Sequence, residues 1–148
     1  GIGLMSVCDV VIGVESAQFA LTETRLGLIP ATIGPYVAAR MGETNARRVF
    51  MSGRRFDAHE AVTLGLLARA VPKADLDAAV EAEVAPYLDC APGAVAAAKA
   101  LLRGFGPRID DAVIAGTIDA LAETWAGEEA PEGIAAFFER RKPGWQQG

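Results

Sequence analysis

The sequence predicts an α/β chain in two parts, a mixed part over residues 1–72 and an all-helical part over residues 73–148. Two observations carry this reading. Residues 9–14 (DVVIGV) are rich in β-branched side chains, and residues 66–71 (LLARAV) form a short apolar run closed by Pro72, as buried strands do. After residue 72 the apolar residues recur at helical spacing in four successive segments. No repeat, low-complexity tract or long linker interrupts them.

Each element has a local reason. Residues 4–7 read as a short helix just after Gly1 and Gly3, followed by the strand 9–14 and a turn at Glu15-Ser16. Residues 19–21 read as a second extended piece, and Gly27 and Pro30 punctuate the loop after it. Residues 36–41 and 44–51 read as two helices parted by Gly42. Asp57 with Glu60 three residues on is the pattern of an N-cap and a capping glutamate, and that helix ends near Gly65. In the second half, helix 75–88 aligns Leu76, Val80, Val84 and Leu88 on one stripe. Helix 92–103 aligns Val95, Ala98, Leu101 and Leu102. Helix 110–125 aligns Ile114, Ile118, Leu121 and Trp125, and helix 131–140 carries Ile134, Phe137 and Phe138. Such stripes need a surface to cover them.

Composition narrows the function. At 148 residues and 51% hydrophobic content the chain has the size of one domain and enough apolar surface for a core. A net charge of -5 argues against nucleic acid as a partner. The one basic cluster, Arg140-Arg141-Lys142 beside Phe137-Phe138, suits a small anionic group. Cys8 and Cys90 have neither a CxxC partner nor a histidine at ligand spacing, so they read as buried reduced thiols, with no metal and no separate cofactor. No signal peptide or membrane-spanning run is visible, and a soluble cytoplasmic protein is expected. The start at Gly1-Ile2-Gly3 without methionine reads as that of a processed, cut or partial chain.

Few residues offer chemistry. Gly1-x-Gly3 is no dinucleotide loop, because Ser6 stands where the third glycine belongs and no strand precedes it. It reads either as a tight turn or as a glycine lead-in that aims helical N–H groups at a developing oxyanion. Glu23 is the most suspicious acid. If the extended piece continues, alternation sets it on a face with Phe19, Leu21 and Arg25, partly desolvated. The plain alternative is a surface carboxylate in a loop. His59 sits in a first helical turn where exposure is expected, and no Ser/His/Asp or Cys/His set can be assembled around it. Asp110-Asp111 and Glu128-Glu129 read as solvent-facing acids at helix starts, and Phe137-Phe138 as core.

The ordered pieces resemble the crotonase (enoyl-CoA hydratase/isomerase) superfamily along the whole chain. The likeness rests on Gly1-Ile2-Gly3-Leu4 before Cys8-Asp9-Val10-Val11-Ile12, and on residues 17–19 leading to residues 22–30 (TETRLGLIP), its most specific part. It continues through residues 53–65 (GRRFDAHEAVTLG), residues 66–72 and residues 133–143 (GIAAFFERRKP). The resemblance implies the last turns of a β-β-α spiral over residues 1–72, then a helical trimerisation region, so that the chain is the C-terminal half of such an enzyme. By itself it is then expected to be inactive.

The resemblance also implies roles. Members bind acyl-CoA thioesters and hold an enolate-like oxyanion with two backbone N–H groups. One donor lies upstream, and the other falls at or just before Gly1, so Gly1 and Gly3 mark the oxyanion region. Family hydratases commonly hold water between two glutamates. The second matches Glu23, while the first falls on Gly3, which cannot move a proton. Pro30 lies in the substrate pocket, and Phe137 and Arg140 match contacts to the nucleotide end of CoA. Residues 22–37 resemble bacterial members acting on branched glutaconyl-type CoA esters in leucine or acyclic terpene breakdown. Three readings stay open: a hydratase using Glu23 alone, a Δ3,Δ2-enoyl-CoA isomerase, and a non-catalytic acyl-CoA-binding subunit. A homotrimer or hexamer is implied as well.

Overall fold

A computed structural model describes residues 1–146 of the protein, so the last two residues of the expected 73–148 part lie outside the described residues. Among the described residues the first part forms, in order, α1 (Ile2–Val7), β1 (Ile12–Val14), β2 (Gln18–Phe19), α2 (Gly34–Met41), α3 (Glu43–Phe50), β3 (Phe56–Asp57), α4 (Ala58–Thr63) and β4 (Arg69–Val71). The helices α5 (Leu76–Val84), α6 (Pro92–Phe105), α7 (Asp111–Ala126) and α8 (Glu129–Glu139) follow. β1 and β4 run parallel with Gly13 opposite Ala70. β2 and β3 run antiparallel with Phe19 opposite Phe56, and those rings stack at 5.6 Å.

Local signals account for the helix starts. Asp57 accepts a hydrogen bond from the Glu60 N–H (2.8 Å), and Asp110 accepts one from the Val113 N–H (3.1 Å), each filling an otherwise unpaired donor. Glu60 does not complete the expected reciprocal cap. Its carboxylate instead takes the Arg54 guanidinium on both oxygens, at 2.8 and 2.6 Å.

The expected strands are shorter than their apolar runs. Leu66 and Leu67 both donate their amides to the Ala61 carbonyl, so the ladder to the first strand starts only with Ala68 N–H to Val11 O (2.8 Å). The expected helix 75–88 breaks because Pro86 offers no N–H, and residues Ala85–Asp89 tighten into a 3₁₀ turn.

The core lies where strands and helices meet. Leu64, Leu66, Val37 and Val49 are fully buried, joined by Leu21, Phe56 and Ile2. In contrast, α5, α6 and α7 bury no residue. Their stripes face outward: Leu102 is 69% exposed and Phe105 76%. The helical part is tied to the first part by the buried small residues of α8 packed against residues 26–27 and by polar contacts such as Lys99 Nζ to Asp9 Oδ2 (2.6 Å). Two expectations are corrected here. Cys8 and Cys90 are exposed free thiols, because both lie at helix ends facing a groove. Phe137 and Phe138 are exposed, because α8 turns its small residues Ala130, Gly133 and Ala136 inward instead. No helix among the described residues is long and apolar enough to cross a membrane.

Candidate active site

Glu23 does not continue an extended strand. It opens a 3₁₀ turn, Glu23–Leu26, closed by hydrogen bonds from Arg25 N–H to Thr22 O (3.0 Å) and from Gly27 N–H to Thr24 O (3.3 Å). Gly27 takes the left-handed conformation at φ 71, which permits the turn to end abruptly. The expected alternation with Phe19 and Leu21 therefore stops at the turn, and Arg25 swings out to lay its stem over Gly53. What survives is the desolvation. Glu23 is half-buried, and its Oε2 is wholly buried with no hydrogen-bond partner among the described residues. A buried carboxylate oxygen without a donor is costly unless it serves a purpose.

The residues around the turn are close-packed. Pro30 and Ala31 are buried, and the chain then passes Ile33 into α2. Ile33 stands directly over Gly3 on α1, where an added β-carbon would lie 2.4 Å from Ile33 Cγ2. Gly1 is the exposed N-cap of α1 and supplies no side-chain cap, so the first helical amides keep no side-chain acceptor. The stretch from Glu23 through Pro30 to Ile33 thus joins the carboxylate turn to the glycine-bearing helix.

Phe137 and Arg140 lie elsewhere, at the outer end of α8. Phe137 packs edge-on to Phe138 at 5.6 Å, and Arg140 ends the helix in the left-handed region at φ 56. The basic cluster is not uniform. Arg141 is committed to Glu132 through two hydrogen bonds of 2.7 Å and to Glu139 through one of 2.6 Å. That fork, with the Gly144 N–H, holds the Glu132 carboxyl down at about 2 and raises the Arg141 guanidinium further above its ordinary value. Both arginines are exposed, and of the two only Arg141 is held in that fork among the described residues.

Two open grooves flank these elements. An apolar one of about 700 Å³ runs between residues 32–36 and α7, lined by Thr32, Pro35 and Tyr36 on one side and Ile118, Leu121 and Trp125 on the other. A larger one of about 1210 Å³ lies between the end of α1 and α6, crossed by the Lys99–Asp9 pair. Neither is lined by Glu23 or Pro30.

The sequence profile of enoyl-CoA hydratase/isomerase matches residues 1–148. The chain belongs to the enoyl-CoA hydratase/isomerase family. A Thermus thermophilus relative that carries an enoyl-CoA hydratase name is 32% identical over 146 residues, 97% of this chain and 56% of that protein. The crystal structure of an enoyl-CoA hydratase from Mycobacterium avium superposes with a TM-score of 0.83 at 32% identity, over 97% of this chain and 57% of that one. Pseudomonas aeruginosa AtuE is 40% identical with a TM-score of 0.69, over 99% of this chain and 57% of that one. The chain thus spans a little over half the length of the relatives it matches. The α/β architecture with a helical C-terminal part is that of the crotonase fold.

In this enoyl-CoA hydratase/isomerase chain, sequence reasoning singled out Glu23, Gly3 and Pro30 but missed Ile33 and Gly133. A β-carbon on Gly133 would lie 2.6 Å from the Leu26 carbonyl oxygen, so α8 lies directly on the Glu23 turn. The signal was present as small residues at Ala130, Gly133 and Ala136 on one helical face. What that face meets is not written in any local window.

Proposed function

We propose that the protein is a 2-enoyl-CoA hydratase in which Glu23 is the sole side-chain acid/base. The observation that carries the reading is the buried, unpaired Oε2 of Glu23 within the TETRLGLIP segment, in a family whose relatives bear hydratase names. As water oxygen bonds to the β-carbon of the enoyl thioester, the Glu23 carboxylate takes a water proton. The displaced electron pair moves onto the thioester oxygen, where backbone N–H groups near Gly1 stabilise it. Glu23 then returns that proton to the α-carbon, so the net change is addition of one water across the double bond. A single carboxylate suffices because the proton it takes is the proton it gives.

We further propose a branched, glutaconyl-type acyl group, supported by the resemblance of residues 22–37 and by glycine at position 3. The proposal includes CoA contacts from Phe137 and Arg140, an acyl pocket bordered by Pro30, and assembly as a homotrimer or hexamer. The exposed stripes of α5–α7 support assembly. One observation favours a second reading. Glycine at position 3 leaves no companion acid on α1, and a lone carboxylate also serves a Δ3,Δ2-enoyl-CoA isomerase, which moves one proton between two carbons.

The test is to incubate the full-length protein, beside its Glu23→Gln variant, with 3-methylglutaconyl-CoA and with a 3-enoyl-CoA, and to weigh the products. Gain of one water that is lost in the variant supports the hydratase. A shifted double bond with no mass change supports the isomerase. Retained acyl-CoA binding with no turnover sinks both and leaves a non-catalytic binder.

A further inference from the structure

We infer that α8 positions the Glu23 carboxylate through two reciprocal backbone contacts, with Gly27 and Gly133 as the positioning residues. This rests on the reading of Glu23 as the acid/base. At Gly27, which closes the turn, a β-carbon would lie 2.5 Å from the Glu129 carbonyl carbon and 2.8 Å from Ala130 N. At Gly133, on the helix, a β-carbon would lie 2.6 Å from both C and O of Leu26. Backbone thus meets backbone from both sides with no side chain between. The two contacts on α8 are one helical turn apart, so together they set both the distance and the tilt of the turn against the helix. A single contact would leave the turn free to pivot. Ala130 and Ala136, each 1% exposed, close the remaining space on the same face.

The link from this contact to the carboxylate is short. Leu26 and Gly27 follow Glu23 within the same turn, and Leu28 N–H donates to the Glu23 carbonyl (3.1 Å). A displaced Leu26 or Gly27 carries the Glu23 backbone with it. Among the described residues no donor holds Oε2, so the carboxylate has its place from the backbone beneath it. On the other flank, Arg25 is held by Gly53, where a β-carbon would lie 2.9 Å from Arg25 Cγ. The turn is therefore clasped between α8 and the Gly53 bend.

The experiment uses the full-length protein with Gly133→Ala. Active sites are counted by the binding stoichiometry of a saturated acyl-CoA, and kcat is expressed per counted site. The inference expects kcat to fall by about tenfold to a hundredfold, because a misplacement near 1 Å costs on that order. The stoichiometry stays within about twofold, while KM follows any shift of Phe137 and Arg140, the proposed CoA contacts on the same helix, so the reading is taken from kcat per site at saturating substrate. An unchanged kcat per site overturns the inference. A stoichiometry that falls in step with activity overturns it too, since that shows only lost folded protein. If Gly133→Ala gives no folded protein, Ala130→Gly loosens the same contact without adding an atom, and the same outcomes apply. Full activity of Glu23→Gln would instead sink the acid/base reading. A silent Gly133→Ala in a protein that depends on Glu23 sinks only the positioning role.

Discussion

Ile33 occupies the place where a side chain on Gly3 would begin: a β-carbon there would lie 2.4 Å from Ile33 Cγ2 and 3.1 Å from Ile33 Cβ. Both contact atoms lie at the root of a β-branched side chain, which cannot rotate away cheaply. Glycine at position 3 is therefore a packing requirement of this chain. Gly3→Ala should destabilise by about 1–3 kcal/mol through overpacking, despite the better helix propensity of alanine. Adding Ile33→Ala should recover a measurable part of that loss, read as non-additivity in denaturant unfolding. Strict additivity would show that the two residues do not meet.

Among the described residues the buried oxygen of the Glu23 carboxylate meets no donor, so function and stability should pull apart there. Glu23→Gln is expected to lower kcat by about 10²–10⁴-fold, the usual contribution of a positioned acid/base. The same change should leave Tm equal or higher, because a neutral amide is less costly to desolvate than a carboxylate. Thermal unfolding and steady-state assays on one preparation check both. A falling Tm with intact kcat would reverse the assignment.

Acid should release the C-terminal end. The Glu132 carboxyl sits at about 2 because the Arg141 fork and the Gly144 N–H stabilise its charged form. A folded value below the ordinary carboxylate value of about 4.3 means that this stabilisation is complete above that pH. It then disappears as pH falls through the window down to about 2. Trp145 follows Gly144 directly, so its fluorescence in a Trp125→Phe background should change within that window. Glu132→Gln should show the released signal already at neutral pH.

Asp57 is the N-cap of α4, and the residues beyond it, Ala58 and Ala61, are fully buried. Asp57→Ala should cost about 1 kcal/mol, and Asp57→Asn much less, since the amide oxygen still accepts the Glu60 N–H. Urea unfolding of the pair separates loss of the cap from loss of the charge.

The proposed trimer or hexamer makes a further prediction. Leu102 and Phe105 on α6 face outward, and a charge placed there should be harmless to a free helix but not to a covered one. Leu102→Glu should lower the assembled mass in light scattering while helical content by circular dichroism holds. An unchanged mass would move the subunit contact to another face.

Much of the molecule was legible before any coordinates. The ordered motifs marked the family, and helix starts such as Asp57 with Glu60 were written within four residues. Strand lengths were less legible. Leu66 and Leu67 have strand composition, yet their amides are taken by the Ala61 carbonyl. The setting of Glu23 was half legible: its desolvation follows from apolar neighbours, but the 3₁₀ turn that carries it depends on Gly27 fitting against α8.

The sequence by itself determined what depends on neighbours along the chain: the caps, the helical stripes and the presence of one candidate acid. Tertiary structure alone decided that Gly133 meets Leu26, that Ile33 stands over Gly3, and that the stripes of α5–α7 face outward. The reason is physical. Capping and periodicity are short-range interactions encoded in one window, whereas a close backbone approach depends on how distant segments pack, and glycine records only that room is needed.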